Sequence, residues 1–411
     1  MKIGIVTTWQ ERGAAYVSKQ YRDILKKDNE VFVYARGGEK YAIGDLIWDK
    51  NYVTWGKKIP IHMPQAIDLN DFKKWLIKNK IDLVFFNEQQ WWDPILLCQD
   101  LNIKTGAYID YYTKETVSFF EVYDFLICNT RRHLEAFKWH PQAYYIPWGT
   151  DIQLFKAKNL SAVENSRITF FHSSGMSPER KGTDILIKAF SNLSGSKKLI
   201  IHTQTDLEES LPNLKDSIKK MRKGGLLEII NKEISAPGLY HLGDVYVYPS
   251  RLDGIGLTIC EALACGLPVI TSDNAPMNEF VDNSNGRLVK IEKYGERSDG
   301  YFWPLCEVNQ DLLTSAMQYY IDNFKVISGF KNNARKSAEA RFDWSKNSLN
   351  LSHLFRDSKV IEKSEELINK VRFFEKKRSN IATKIYRRYP WLFKPFSWFW
   401  PIIKNFYISK K

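Results

Sequence analysis

Residues 248–271 read YPSRLDGIGLTICEALACGLPVIT. They follow DVYVYPS (244–250), an apolar run rich in valine and tyrosine that reads as a buried strand. Asp253-Gly254-Ile255-Gly256 then makes a tight turn. A helix is expected from Leu257 to Cys265, stopped by Gly266 and Pro268, before another apolar strand at Val269-Ile270-Thr271. A strand, a glycine turn, a helix and a second strand in that order is the unit of a parallel α/β sheet. The start of such a helix carries unpaired N–H groups and partial positive charge, so it suits an anion or a row of sugar oxygens. Two acids flank this end, Asp253 in the turn and Glu261 inside the helix. Two like charges would repel as a buried pair, so they read as facing a hydroxyl-rich ligand, one at each end of it.

The stretch resembles the donor-binding signature of retaining glycosyltransferases of the GT-B fold, in particular glycosyltransferase family four. That signature runs PS-x-x-E-G-x-G-x-x-x-x-E-A-x-A-x-G-x-P-V. The chain matches it at Pro249, Ser250, Gly254, Gly256, Glu261, Ala262, Ala264, Gly266, Pro268 and Val269, and departs at Asp253, where the pattern has Glu. The resemblance implies that Asp253 and the backbone of Gly254, Ile255, Gly256 and Leu257 hold a donor sugar, and that Glu261 holds the nucleotide ribose.

Upstream, RITFFHS (167–173) reads as a strand and is followed by SSGMSPERKGTDILIKAF. This resembles the family's G-R-x-x-x-x-K-G-x-D-x-L-I-x-A-F, in which Arg and Lys grip the donor diphosphate. Lys181 and Gly182 are kept. Met176 stands at the family's Arg position, and Arg180 is the cation that could replace it from another direction. A departing nucleoside diphosphate gathers negative charge, which fixed cations and helix N-termini stabilise without reorganising. No D-x-D pair occurs, so a metal-independent reaction with no cofactor is expected.

The first part of the chain alternates strands (2–7, 30–34, 81–86, 104–109, 125–128) with helical stretches, the pattern of a parallel, doubly wound sheet. Ligands of such sheets gather beyond the strands' carboxyl ends. Gly13 lies in the first loop, where the family often has paired glycines and this chain has Ala14 second. Asp110 follows KTGAYI and is read as an acceptor contact or general base, or as a helix cap. Glu88 reads as a solvated loop acid. Trp91 and Trp92 either shape an acceptor pocket or pack in the core. Residues 145–155, YIPWGTDIQLF, resemble the family's linker pattern, which implies that Gly149 faces the donor. Glu279, in NAPMNE, orients a donor-side loop, caps a helix or lies on the surface. Phe342-Asp343-Trp344 resembles the family's F-x-W before a helix that crosses back to the first domain.

The chain has 411 residues, 44% of them hydrophobic and 14% aromatic. That is enough for two cores, since single cores stop growing near ~250–300 residues. The opening residues read as a strand with no apolar signal-peptide core, and no run of about 18 apolar residues is present. Five cysteines without C-x-x-C spacing read as reduced thiols of a cytosolic protein rather than a zinc site.

The net charge is +13, and residues 372–411 hold eleven Lys or Arg against one acid, Glu375. Twelve aromatics are threaded among them, and Pro390, Pro395 and Pro401 forbid one long helix. Trp, Tyr and basic side chains together suit an anionic membrane surface. The alternatives are packing on the body or a partner, or nucleic-acid binding, for which no module is recognisable.

The reading is therefore α/β, with two Rossmann-like domains facing a cleft. An acceptor-side domain spans 1–155 and a donor domain 156–340. Crossing-back helices span 341–370, and a basic aromatic tail spans 371–411. The expected function is transfer of a sugar from a nucleotide-sugar to a glycan or lipid-linked glycan, in a cytoplasmic protein on the inner face of the membrane. The rivals are a nucleotide-sugar epimerase on the same fold and a non-catalytic binder of anionic surfaces.

Overall fold

A computed structural model describes residues 1–59, 65–156 and 167–378. The first sheet contains β1 (Lys2–Thr7), β2 (Glu30–Ala35), β3 (Val53–Trp55), β4 (Leu83–Asn87), β5 (Lys104–Tyr108), β6 (Phe125–Cys128) and β7 (Ala143–Tyr145), in the spatial order β3-β2-β1-β4-β5-β6-β7. The second contains β8 (Ile168–Gly175), β9 (Lys197–Thr203), β10 (Leu227–Asn231), β11 (Val245–Tyr248), β12 (Val269–Ser272) and β13 (Gly286–Val289), in the order β10-β9-β8-β11-β12-β13. Every pairing inside the two sheets is parallel. Strand order reverses between β1 and β4 in the first sheet and between β8 and β11 in the second. A crevice opens at the carboxyl ends of the strands at such a reversal.

Burial explains the strand composition. β4 and β11 are buried along their whole length, so both are continuous apolar runs rather than alternating ones. The helix Leu257–Ala264 buries Ile259, Cys260, Ala262, Leu263 and Ala264. Full burial of an Ile or Leu side chain contributes about 1.5–3 kcal/mol. Its small residues let the helix Ile327–Arg341 pack closely through Ala334 and Ala338.

After the second sheet the chain returns to the first lobe. Thr150 N donates to Phe342 O (2.8 Å) and Trp344 N to Thr150 O (3.1 Å). Trp344 packs against Trp148 and Tyr21, and Phe355 lies between Phe85 and Phe125. The helix Glu365–Arg378 then lies on the first lobe, with Leu367 and Val371 in its core and Phe374 against Phe119. Residues 371–378, expected to begin the tail, are therefore packed helix. The rest of the expected tail, 379–411, lies outside the described residues. Among the described residues no helix is long and apolar enough to cross a membrane.

Three elements escaped the sequence reading. β3 and β7 are edge strands of three residues each. An antiparallel hairpin, β14 (Ile291–Gly295) and β15 (Leu305–Val308), arises from a segment too charged to read as a strand. Its tip reaches across to the first lobe, and Thr113 bridges to Tyr301.

Candidate active site

One cleft of about 1060 Å³ lies between the lobes, bounded by both strand-order reversals. On the second lobe, Lys181 leaves the loop after β8 and Asp253 the loop after β11. Lys181 Nζ donates to Asp253 Oδ2 at 2.6 Å and also to the Tyr248 hydroxyl, which itself donates to Asp253. Gly254 N donates to the other Asp253 oxygen at 2.9 Å. Burial alone would raise the Asp253 carboxyl, but the Lys181 and Arg180 cations and these hydrogen bonds hold it well below the usual carboxylate range. Burial pulls the Lys181 ammonium down to about 8, against the pull of Asp253. Arg180 lines the same cleft and donates to Leu252 O at 2.8 Å, so its guanidinium stands beside the Asp253 loop.

Two close approaches create this geometry. Gly182 sits at φ +71°, and a Cβ there would lie 2.1 Å from Pro249 O, so the two cleft loops touch backbone to backbone. Gly256 sits at φ +85° and turns the chain into the helix Leu257–Ala264. It supplies the turn but is not among the cleft-lining residues, whereas Asp253, Gly254, Ile255, Leu257 and Glu261 are.

Glu261 accepts from the Tyr240 hydroxyl. Burial lifts its carboxyl from 4.5 to about 7, and the Tyr240 bond offsets only part of that. The folded state is then the weaker acid, so ionisation favours the unfolded chain. The ligand-free protein is expected to lose stability as pH rises from about 4.5 through about 7. Glu261→Gln removes that slope and is expected to be the more stable protein at pH 8, by up to about 3 kcal/mol. Urea unfolding at pH 5 and pH 8 measures this, and parallel pH slopes for the two proteins would contradict it.

The first lobe contributes Gly13, Glu88 and Asp110 from the loops after β1, β4 and β5. A Cβ at Gly13 would lie 3.2 Å from Leu257 Cδ1, and one at Gly254 would lie 3.7 Å from Asp110 Cβ. Asp110 thus faces the Asp253 loop and caps no helix. Gly149 corrects its expectation. It is not among the cleft-lining residues, and a Cβ there would lie 2.6 Å from both Phe342 O and Trp344 N, so the glycine admits the returning chain. Trp92 is buried edge-on to Phe119 and Phe120, in the core rather than in a pocket. Glu279 caps a helix of the opposite lobe: Arg131 N and Arg132 N donate to its two oxygens at 2.6 and 3.0 Å.

The hairpin tip lines one side of the cleft through Arg297, Asp299 and Tyr301, and the buried His133 ties the lobes together behind it. Tyr301 Oη donates to Asp110 O (3.0 Å), its ring stacks on Tyr111, and Phe302 N donates to Tyr112 O (2.9 Å). Trp303 Nε1 donates to Tyr112 Oη (2.5 Å), which lies 3.0 Å from His133 Nδ1, and His133 Nε2 is 2.9 Å from Gly254 O. A carbonyl can only accept, so Nε2 carries the hydrogen and Nδ1 accepts from Tyr112. Burial keeps the imidazole neutral, down to about 4. None of these partners carries a sequence signal, because each is brought by the fold to a residue far along the chain.

Comparison with known proteins agrees with this geometry. Residues 167–297, which lie in the second lobe, match the model of the family described as Glycosyl transferases group 1. A probable sucrose-phosphate synthase of Thermosipho melanesiensis is 28% identical over 158 residues, 36% of this chain and 37% of that protein. A GDP-mannose-dependent monoacylated alpha-(1-6)-phosphatidylinositol monomannoside mannosyltransferase of Corynebacterium glutamicum is 28% identical over 193 residues, 40% of this chain and 48% of that one. The chain spans about half or less of the length of the curated relatives it matches. Among solved structures, Anabaena HepE in complex with UDP and glucose superposes with a TM-score of 0.68 at 16% identity, over 87% of this chain and 99% of that one. The architecture is the GT-B fold.

Proposed function

We propose that this chain is a glycosyltransferase that moves a hexose from a nucleoside diphosphate sugar to a hydroxyl of a glycan or lipid-linked glycan, with retention at the anomeric carbon. One observation carries the reading. Lys181, Arg180, Asp253, Glu261 and the amide end of the helix Leu257–Ala264 converge on one cleft, on the domain that matches the family. Lys181 and Arg180 face the diphosphate and stabilise the charge it gathers as the glycosidic bond breaks. Asp253 and the Gly254–Leu257 backbone hold the sugar hydroxyls, and Glu261 holds the ribose. The acceptor enters from the first lobe past Asp110, and closure of the cleft by the hairpin tip keeps water from the reacting carbon. With two protein cations at the diphosphate, turnover is expected to persist in EDTA.

Two relatives support this choice of donor and acceptor. One was solved with UDP and glucose, and the other is named for GDP-mannose and a monoacylated phosphatidylinositol monomannoside. The basic, aromatic stretch 379–411 supports a place at an anionic membrane, on the cytoplasmic face where nucleotide sugars are found. The helix before it is moored to the acceptor lobe.

A thermal-shift panel of UDP, GDP and ADP, followed by UDP-glucose and GDP-mannose, tests the reading. A nucleotide at a hundred times its Kd adds about 2.7 kcal/mol of stability, a rise of several degrees. A true donor then releases nucleotide, and NMR of the product reads the anomer. No shift with any nucleoside diphosphate would sink the proposal.

A further inference from the structure

Gly254 lies in the loop proposed to hold the donor sugar, and both of its peptide groups are tied down. Its N–H donates to Asp253 Oδ1 at 2.9 Å, within the loop. Its carbonyl accepts from His133 Nε2 at 2.9 Å, from the opposite lobe. The peptide joining Gly254 to Ile255 is trans, so its C=O and N–H point in opposite directions. Fixing the carbonyl on His133 therefore aims the Ile255 N–H away from His133. That imidazole is fully buried and does not line the cleft, whereas Gly254 and Ile255 do. The Ile255 N–H accordingly faces the cleft side, and among the described residues it has no acceptor. Glycine has no Cβ to restrict its backbone, so the loop's own sequence does not hold Gly254 in this orientation.

His133 is itself built into place. It lies in the first turn of the helix Arg131–Phe137, where its N–H donates to Thr130 Oγ1 at 3.2 Å. Glu279 of the second lobe grips the same helix end through Arg131 N and Arg132 N. On the far side of the ring Tyr112 Oη donates to Nδ1 at 3.0 Å, which leaves the hydrogen on Nε2 for Gly254. Tyr112 is fully buried, edge-on to Phe137 at 4.7 Å, and accepts from Trp303 of the hairpin tip. The chain of hydrogen bonds thus crosses between the lobes twice, from Trp303 to Tyr112 and from His133 to Gly254.

We infer that His133 is a positioning residue: by holding the Gly254 carbonyl it presents the Ile255 amide to the donor sugar, so the sugar subsite is complete only while the two lobes are in contact. The inference rests on the glycosyltransferase reading and adds a means of control to its donor site. An amide aimed in advance at a sugar oxygen stabilises it without reorganising. A buried carbonyl left without a donor costs about 1–3 kcal/mol. Without His133 the peptide turns toward another partner, and the amide leaves the sugar. The nucleotide has no need of this amide. The second lobe therefore binds the nucleotide by itself, and grips the sugar in full only beneath the acceptor lobe.

Two amide side chains of different reach test this. Gln places its N–H donors at the level of Nε2 and reaches the Gly254 carbonyl; Asn places them at the level of Nδ1 and stops short of it. Full-length wild type, His133→Asn and His133→Gln are compared for nucleotide release from UDP-glucose and GDP-mannose, in water and with nitrophenyl pyranosides of glucose, galactose and mannose. Affinity for UDP and GDP and the melting temperature are measured beside it. His133→Asn is expected to lower kcat about 10-fold or more. Its Kd for UDP and GDP is expected to stay within about threefold of wild type. His133→Gln is expected to recover kcat to within about threefold of wild type. Both are expected to melt within about 4 °C of wild type. Equal kcat in all three proteins overturns the inference, and so does a loss of UDP and GDP affinity as large as the loss of kcat. In a folded His133→Gln protein, kcat below about a tenth of wild type overturns it whatever the fate of His133→Asn, because the donor alone would then not suffice. No release by wild type from either donor, in any arm, sinks the glycosyltransferase reading instead, and this inference with it.

Discussion

Lys181→Ala is expected to lower turnover ~100–1000-fold, the loss typical when a preorganised group facing developing negative charge is removed. The chain stays folded, because Asp253 keeps the Tyr248 hydroxyl and the Gly254 amide and still feels the Arg180 cation. Lys181 deprotonates near pH 8 in the free protein, so kcat/KM is expected to fall as pH rises above that value. Lys181→Arg keeps its charge throughout this range. Its kcat/KM is expected to lose the alkaline limb, even where the longer side chain costs some rate. Nucleotide release between pH 6 and 10 decides the matter: a Lys181→Ala protein with undiminished kcat, or an alkaline limb unchanged in Lys181→Arg, removes Lys181 from the site.

The largest expected stability loss is at Gly182→Ala. An added Cβ there meets Pro249 O at 2.1 Å, and the backbone at φ +71° is one that L side chains rarely adopt. Overpacking and left-handed strain together are expected to cost about 3–4 kcal/mol. In a protein of 411 residues that lowers Tm by roughly 3–5 °C. Gly225 supplies the control. It has φ +68° with nothing within 4 Å of an added Cβ, so Gly225→Ala isolates the strain at about 1–2 kcal/mol. Urea midpoints for the two variants separate contact from strain; equal losses would mean the loops do not touch as described.

The second lobe is legible in the sequence because its half of the site is assembled from short spacings. Asp253, Gly256 and Glu261 lie within one turn and one helix, and Lys181 and Gly182 share a single loop. Parallel strands place both segments at one crevice, so local patterns suffice. The first lobe's half depends on long-range partners. His133 and Gly254 are 121 residues apart, Arg131 and Glu279 148, and Asp110 and Tyr301 191. Glu88 reads as a solvated loop acid because nothing in its own stretch reveals that the loop lines a cleft or that Arg36 holds its carbonyl. Gly149 shows the opposite error. Its motif is recognisable, but a glycine says only that a side chain does not fit, and the group that fills the space is the protein's own returning backbone.

The hairpin tip, His133 and Glu279 fasten the lobes to each other. Spreading them would break an aromatic stack, two hydrogen bonds from backbone N–H groups to Glu279, and the hydrogen bonds to Tyr112 and Gly254. Contacts that the protein makes with itself across the cleft lower the entropic cost of holding the lobes together. Under the proposed function, the same contacts are expected to slow release of the spent nucleotide, so that residence, rather than bond-making, sets the pace of successive turnovers.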